Sequence, residues 1–369
     1  MMILPYYSAI GGWVLKYLAT YVTFSGADAV ADGYFTGFIT SQWGPIIWFL
    51  IYLAATAIVV YKGVNSGVER FSKVLMPILI VMIICISLFS LTLSHTDESG
   101  VTRTGIQGLM VYIIPNFEGL TFQKFMVVLT DAMGQLFYSI SVAMGIMITY
   151  GSYVKKETNL VQSVNRIEFF DTLVAFLAGL MIVPAVYTFM GTEGMASGPS
   201  LMFVSLPKVF DAMGFAGDIV GIVFFITVAF AALTSSVSLL EAIVSSLMDK
   251  FGWVRKKATI VASVYSLIIG LIVCLGYNVF YFELTLPNGS VGQILDLLDY
   301  ISNYVLMPIV AIATCLLIGW ILKPKTIIDE ITLGGFKFHR EGVYVVMVKF
   351  ITPIMLLVLL LQALGVLSF

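Results

Sequence analysis

Residues 127–154 form an apolar stretch whose middle carries hydroxyl groups and a glycine. The stretch is long enough to cross a bilayer, which takes about 20 apolar residues. Its centre, Tyr138 to Gly145, includes Ser139 and Ser141 at mid-membrane depth. Because lipid cannot satisfy free backbone N–H and C=O groups, a break here must face protein or water, and such broken helices bind ions and substrates. A kinked structural helix whose serines bond to their own backbone is the alternative.

A second candidate site is the run of small and hydroxyl residues from Ala231 to Ser238 inside another apolar segment. A hard cation such as sodium prefers oxygen ligands, by analogy with other hard ions. Thr234 and Ser235 offer hydroxyls for it, and Ala231 offers a carbonyl one turn earlier. Small residues also let helices approach closely, and their hydroxyls bond across helix interfaces. Composition alone leaves both interpretations open.

Ionisable residues inside apolar segments are costly, which makes each a functional candidate. For Asp171 and Asp299, a functional role is the favoured interpretation. Asp131 suits an exposed turn at the outer end of its segment. Glu241 suits either function or a hydrogen bond between packed helices.

Composition places these residues in a polytopic membrane protein. The chain has 369 residues, of which 60% are hydrophobic and 11% charged, and its mean hydropathy is +1.02. The net charge of −2 gives no basic field for nucleic acid. The three cysteines have no metal-binding spacing, the two histidines lie in polar loops, and no nucleophile–base pair indicates an enzyme.

The apolar segments predict an all-α fold with nine membrane spans and a loop with short helices at 190–217. The spans lie near residues 2–24, 45–61, 74–93, 126–153, 167–189, 218–248, 257–276, 294–321 and 343–368.

Lysine and arginine are distributed unevenly among the connecting loops. Four loops hold fourteen of them, whereas the alternating loops hold three. The rich loops are 62–73, 154–166, 249–257 and 322–342. Positively charged loops stay in the cytoplasm, so the sequence predicts a plasma-membrane protein with an extracytoplasmic C-terminus.

Four stretches of the chain resemble the neurotransmitter:sodium symporter family in its bacterial amino-acid branch. They are PYYSAIGGW at 5–13, GQLFYSISVAMGIMITYGSYV at 134–154, GPSLMFVSLPKVF at 198–210 and FAALTSSVSLLEAIVSSLMD at 230–249. The resemblance covers essentially the whole chain. It implies an inverted-repeat transporter fold and sodium-coupled symport of an amino acid by alternating access.

The resemblance also implies a substrate pocket. Tyr7 would contact the substrate carboxylate, and the backbone of Ser141 would receive its amine. The remaining pocket positions are Ile3, Tyr138, Ser139, Met144, Ser235 and Leu239. Since the pocket walls are apolar or amphipathic, a hydrophobic or aromatic L-amino acid is the expected substrate, and the adaptable Met144 side chain also permits a broader range.

Two sodium sites follow from the same resemblance. The first would use Ser139 and Asp171. The second would use Ala231, Thr234 and Ser235. The acid at 171 argues for chloride independence, because it adds a negative charge at a site where chloride-dependent relatives balance charge with a bound anion.

Gate residues complete the implied machinery. Asp299 matches the family's outer-gate acid and Asp249 its inner-gate acid, and Tyr153 lies near the inner gate. The arginine partners of both acids belong to family segments that precede this chain. An unpaired acid in a partly buried gate costs free energy.

The nine spans correspond to the third to eleventh helices of the family, so the first two helices are expected to be missing. A non-transporting fragment or scaffold is therefore the alternative function. A homodimer is a further partner that the sequence allows. An intramembrane aspartyl protease using Asp171 and Asp299 is disfavoured because its Tyr-Asp and Gly-x-Gly-Asp strings are absent. A channel is disfavoured by the gate residues.

Overall fold

The computed structural model describes residues 1–63, 68–97, 100–192, 195 and 199–367. Parts of the predicted loops 62–73 and 190–217, and residue 368 of the predicted last span, lie outside these ranges. The α-helices in chain order are α1 (Ile3–Val22), α2 (Tyr34–Thr40), α3 (Gly44–Tyr61), α4 (Arg70–Leu91), α5 (Gly105–Ile113), α6 (Phe122–Ser139), α7 (Ile146–Tyr153), α8 (Leu160–Met190), α9 (Leu206–Ala212), α10 (Phe215–Phe251), α11 (Arg255–Leu275), α12 (Ile294–Asp299), α13 (Met307–Leu316), α14 (Pro324–Thr332), α15 (Glu341–Val346) and α16 (Thr352–Ala363).

Short elements of other types join or extend these helices. A 3-10 helix covers Gly26–Val30, and π-helical turns cover Leu201–Ser205, Tyr300–Leu306, Leu317–Ile321 and Met347–Ile351. Two antiparallel hairpins pair Ser94–Thr96 with Thr102–Thr104 and Leu284–Thr285 with Val291–Gly292. The fold class is therefore all-α, as the sequence predicts.

Seven helical segments in the described part of the chain are long and apolar enough to span a membrane. They are Gly44–Tyr61, Arg70–Leu91, Leu160–Met190, Phe215–Phe251, Arg255–Leu275, Ile294–Ile321 and Glu341–Ala363. The other two predicted spans coincide with α1 and with the α6–α7 pair, which are helical but do not meet both of these criteria. The count of nine spans stays a prediction.

Side-chain caps fix where several helices begin. Thr104 and Gln107 form a reciprocal capping box at the start of α5. The Thr121 hydroxyl accepts from the Lys124 backbone N–H before α6, and Asn159 caps α8 in the same way through Gln162. These caps satisfy backbone donors that a helix start otherwise leaves free.

The tightest packing joins α1, α3, α10 and α11. A Cβ on Gly12 of α1 would lie 2.7 Å from the Phe49 backbone nitrogen of α3, so only glycine permits this approach. Trp13 and Tyr17 continue the buried face of α1 and meet Phe203 in edge-on and tilted aromatic contacts. This group forms a close-packed scaffold.

Contacts bring the lysine- and arginine-rich loops to the same end of the molecule. Lys256 lies over the ring of Tyr61, with 5.7 Å from Nζ to the centroid, and this joins loops 249–257 and 62–73. Arg340 pairs with Glu168 at 3.0 Å, which joins loop 322–342 to the start of α8 beside loop 154–166. The side of the membrane on which this end lies stays a prediction.

Candidate functional site

The helix that starts at Phe122 stops at Ser139 and resumes at Ile146 as α7. Ser141 and Ala143 have φ of +57° and +63°, a left-handed backbone that costs free energy in residues with a side chain. Gly145 then starts α7 with φ +84°. The interruption therefore lies within the predicted segment 138–145.

The serine nearest the break bonds away from its own backbone. The Ser139 hydroxyl donates to Asp171 Oδ1 of α8 at 2.5 Å. Ser139 therefore does not fit the alternative of a kinked helix whose serine hydroxyls bond to the helix backbone. Two oxygen groups from different helices, Ser139 and Asp171, thus meet beside an unwound backbone.

Asp171 also lines a large cavity between α4, α8 and α10. The cavity has a volume of about 820 Å³, and Asp171 is the only ionisable residue among its described lining residues. Ala231, Thr234 and Ser235 of α10 line the same cavity. The structure therefore brings four of the five predicted sodium-site residues to the walls of one space, and Ser139 reaches it through Asp171.

The α10 oxygens lie one helical turn apart. The Thr234 hydroxyl donates to the Ala231 carbonyl at 2.9 Å. The Ser235 side chain is exposed to the cavity and interacts with Tyr7 of α1. Carbonyl, hydroxyl and carboxylate oxygens are the ligands of hard cations, so this chemistry suits sodium and offers nothing to a soft metal. The described residues include no cluster of three histidines, cysteines or acids for a transition metal.

Tyr138 lines a second cavity, on the other side of the break, with a volume of about 910 Å³. Asp131, Gln135, Asp299 and Asn303 also line it, and no basic residue does so among the described residues. The side chain of Tyr138 interacts electrostatically with Asp299 as well as with Tyr6 and Tyr7 of α1. This cavity is therefore polar and acidic, whereas the first is mostly apolar. Asp131 faces it, although the sequence favours a plain exposed turn for this residue.

Asp299 has neutral partners. Asn303 donates to Asp299 Oδ1 at 2.6 Å and to the Tyr6 hydroxyl at 3.1 Å. None of the ion pairs formed within the described ranges involves Asp299 or Asp171. The expected gate acid is thus hydrogen-bonded to neutral groups and has no cationic partner among the described residues.

The remaining predicted pocket residues belong to the core or border it. Ile3 and Leu239 are buried, and Met144 packs against the core from a half-buried position. Tyr7 of α1 is half-buried, and its side chain interacts with Ser235 of α10. Ser141 is half-buried within the interruption itself.

A separate cluster lies at the basic end of the molecule. Glu241 is fully buried, and both of its oxygens accept from Arg255, at 2.6 and 2.9 Å. Tyr153 of α7 also donates to Glu241, at 2.6 Å. Asp249, the predicted inner-gate acid, is exposed two turns further along α10 and, among the described residues, forms no hydrogen bond or ion pair with this cluster.

Sequence reasoning did not find Arg255 or Asn303. A signal for Arg255 exists in the chain, because a glutamate inside a span and an arginine at the start of the next span lie 14 residues apart. Two antiparallel helices joined by a short loop place such residues at the same depth. Asn303 follows Asp299 by four residues and shares its helix face.

Comparison with known proteins settles the family. The model of the sodium:neurotransmitter symporter family matches residues 37–368. The chain belongs to this family. It is a multi-pass membrane protein of a family of sodium-coupled transporters, which are not enzymes.

Individual relatives agree with this placement. The chain is 32% identical to the uncharacterized sodium-dependent transporter YhdH of Bacillus subtilis, over 100% of this chain and 78% of the relative. It is 31% identical to an uncharacterized sodium-dependent transporter of Haemophilus influenzae, over 98% and 76% of the two chains. The crystal structure of MhsT in complex with L-phenylalanine matches with a TM-score of 0.82 and 36% identity, over 98% of this chain and 78% of MhsT.

Proposed function

We propose that this symporter-family protein carries a hydrophobic or aromatic L-amino acid into the cell together with sodium, by alternating access. The observation that carries the proposal is the interrupted helix, which places Ser139 against Asp171 beside a cavity that α10 lines with Thr234 and Ser235. An unwound segment in a membrane helix is tolerated where it lines a binding cavity, and its free carbonyls and half-helix ends bind ions and substrates.

Two sodium sites fit the oxygen groups. Ser139 and Asp171 supply a hydroxyl and a carboxylate for the first site. Ala231, Thr234 and Ser235 supply a carbonyl and two hydroxyls for the second. Each sodium that enters down a membrane potential of 100 mV contributes about 2.3 kcal/mol to uptake. Two ions together with their gradient therefore suffice for steep accumulation.

The substrate would lie between the α1 end of the scaffold and the break. Tyr7 donates to the carboxylate, and the backbone at Ser141 receives the amine. Ile3, Met144 and Leu239 surround an apolar side chain, and Tyr138 separates it from the acidic cavity. The L-phenylalanine in the MhsT crystal structure, a protein with 36% identity, supports this class of substrate.

The gates would act at the two ends of this site. Asp299, with Asn303 and Tyr6, lies on the acidic side. Tyr153 and the exposed Asp249 lie toward the basic end. We assign the basic end to the cytoplasm, because positively charged loops are retained there, and the acidic cavity then opens outward.

Uptake by purified protein in proteoliposomes tests the proposal. An inward sodium gradient should drive accumulation of radiolabelled L-phenylalanine, and a potassium gradient should not. Thr234→Val should raise the sodium concentration for half-maximal uptake at least about fivefold, because it removes one neutral ligand oxygen, worth about 1 kcal/mol.

Thr227→Val is the matched control. Thr227 lies on the same helix, lines the same cavity and donates to its own helix carbonyl at 2.7 Å, yet it is not among the proposed ligands. Equal effects of the two variants would contradict the second sodium site. An absence of sodium-dependent binding and uptake in the wild type would leave a non-transporting scaffold as the function.

A further inference from the structure

Tyr52 of α3 carries a buried hydroxyl that takes no part in the proposed transport cycle. Its side chain is 1% exposed, and its hydroxyl has no hydrogen-bond partner of normal geometry among the described residues. Burying a hydroxyl without a hydrogen-bond partner lowers the stability of a protein. An orphaned hydroxyl in a native interior therefore calls for an explanation.

The position of Tyr52 is fixed by close packing against α1. A Cβ on Gly11 would lie 2.4–2.6 Å from the Tyr52 ring atoms Cζ, Cε2 and Cε1. The hydroxyl-bearing end of the ring thus rests on the bare backbone of Gly11, one helical turn after Tyr7. Any side chain at residue 11 would displace the ring, so the glycine of α1 makes room for Tyr52, whose side chain interacts with Tyr7.

The polar neighbours of Tyr52 are few. Its side chain interacts with Tyr7 and with Ser236 of α10. The Thr56 and Ser236 hydroxyls bond to each other at 2.8 Å, and each also points at a carbonyl of its own helix, at 3.1 and 3.0 Å. Their two hydrogens are thereby committed within this pair and its carbonyls. The Tyr52 hydroxyl has no hydrogen bond of normal geometry to an acceptor among the described residues, although its side chain interacts with Ser236.

We propose that Tyr52 is a positioning residue for substrate binding, whose O–H donates to the Tyr7 hydroxyl oxygen when Tyr7 donates to a bound carboxylate. The inference rests on the proposed function, because it assumes an amino-acid carboxylate at Tyr7. In the free protein the Tyr7 hydroxyl interacts with the Ser235 side chain. Donation of the Tyr7 hydrogen to a carboxylate increases the acceptor strength of the phenol oxygen, and a chain of hydrogen bonds strengthens each of its members.

Tyr52 never touches the substrate in this arrangement. It belongs to α3, a helix of the close-packed scaffold, and acts through Tyr7 alone. The Tyr52 hydroxyl, which has no acceptor of normal geometry among the described residues of the free protein, then gains a hydrogen bond when substrate binds. This hydrogen bond stabilises the bound state and so increases the affinity for a ligand that carries a carboxylate.

Equilibrium binding of L-phenylalanine at saturating sodium tests this role, with purified full-length chain in detergent. Tyr52→Phe removes only the hydroxyl oxygen and should weaken binding roughly five- to tenfold, the effect of about one net hydrogen bond. In a Tyr7→Phe background the same change should have no further effect, because the acceptor is gone.

Tyr21→Phe is the matched control. The Tyr21 hydroxyl is also buried without a hydrogen-bond partner in the described part of the chain, and its residue is also 1% exposed. It lies on α1, 14 residues after Tyr7 and roughly 21 Å further along the helix axis. Its removal should leave the dissociation constant unchanged.

Thermal melting distinguishes a positioning role from a structural one. Tyr52→Phe should leave the melting temperature of the ligand-free protein where the control leaves it, and should reduce only the increase that L-phenylalanine produces. The proposal would be overturned if ligand-free Tyr52→Phe melts at a lower temperature than Tyr21→Phe. It would also be overturned if Tyr52→Phe and Tyr21→Phe lose equal affinity, or if Tyr52→Phe causes an additive loss in the Tyr7→Phe background. Wild-type protein that binds no L-phenylalanine would overturn the proposed function itself, whereas normal binding by Tyr52→Phe would overturn this inference alone.

Discussion

The buried acid at the basic end and the acids around the broken helix are satisfied in opposite ways. Glu241 is fully buried and receives two hydrogen bonds from Arg255 and one from Tyr153. Among the described residues, Asp171 receives a hydrogen bond from Ser139, and Asp299 interacts with Asn303 and Tyr6, all of them neutral groups. A bidentate guanidinium cancels the charge of its partner, whereas a hydroxyl or amide leaves it available to a cation. The first arrangement holds helices together, and the second leaves negative charge beside a cavity.

The largest expected effect is the loss of the Arg255 guanidinium. Arg255→Ala should lower the free energy of unfolding by about 3–5 kcal/mol, because it leaves the Glu241 carboxylate buried and uncompensated. Thermal melting in detergent measures the loss. Lys257→Ala is the control, since Lys257 lies on the same turn of α11, its ammonium lies over the Trp253 ring at 4.5 Å from the centroid, and it forms no ion pair within the described ranges.

Replacing both partners sharpens this result. Glu241→Leu combined with Arg255→Met should recover most of the lost stability, because apolar groups of similar volume often replace a buried ion pair without cost. If Arg255→Ala melts like Lys257→Ala, Glu241 does not depend on Arg255 to compensate its charge, and the contrast with Asp171 and Asp299 fails.

Residue types and spacing find the acids but not their partners. Asp171, Asp299 and Glu241 stand out because a charged residue in an apolar segment is costly. The break at 139–146 stands out because hydroxyls and glycine interrupt an apolar run. Which group satisfies each acid depends on how helices pack, and that is decided by close contacts such as Gly12 against Phe49. No local pattern encodes the pairing of Ser139 with Asp171, 32 residues apart.

The family resemblance assigns more residues to the substrate pocket than residue types and spacing do. Residue types alone suggest oxygen ligands at 231–238, whereas the assignment of Tyr7, Ile3 and Leu239 to one pocket came from family resemblance. Hydrophobic periodicity does not indicate which face of a membrane span is turned toward the pocket, because the lipid-facing and core-facing sides are both apolar. The structure supplies what the pattern omits by showing that α1 and α10 share a closely packed interface.

The second largest effect concerns Asp171. Asp171→Asn keeps the size of the side chain but removes its charge, so the sodium concentration for half-maximal L-phenylalanine binding should rise at least about tenfold, or about 1.4 kcal/mol. The free energy of unfolding should change little, because no cation is left unpaired. Asp329→Asn, at an exposed position of α14, is the control for a general change in net charge. A large loss of stability with unaltered sodium dependence would place Asp171 in the same class as Glu241.

The smallest effect concerns Asp299, which borders an open cavity. Asp299→Asn should raise the sodium requirement only about two- to threefold, because its charge acts across a hydrated space. Asp131 lines the same cavity and retains part of the negative potential. Sodium-dependent binding of L-phenylalanine, repeated with added choline chloride, measures the effect.

The salt series decides between attraction at a distance and direct ligation. Screening of a solvated charge grows with ionic strength, with a Debye length of about 10 Å at 0.1 M. The difference between Asp299→Asn and wild type should therefore shrink as choline chloride is added, while the effect of Asp171→Asn should persist because Ser139 and the cavity wall hold that carboxylate at the site. If the Asp299→Asn effect is tenfold and insensitive to salt, Asp299 contacts sodium directly, and the distinction between the two sides of the broken helix would have to be drawn elsewhere.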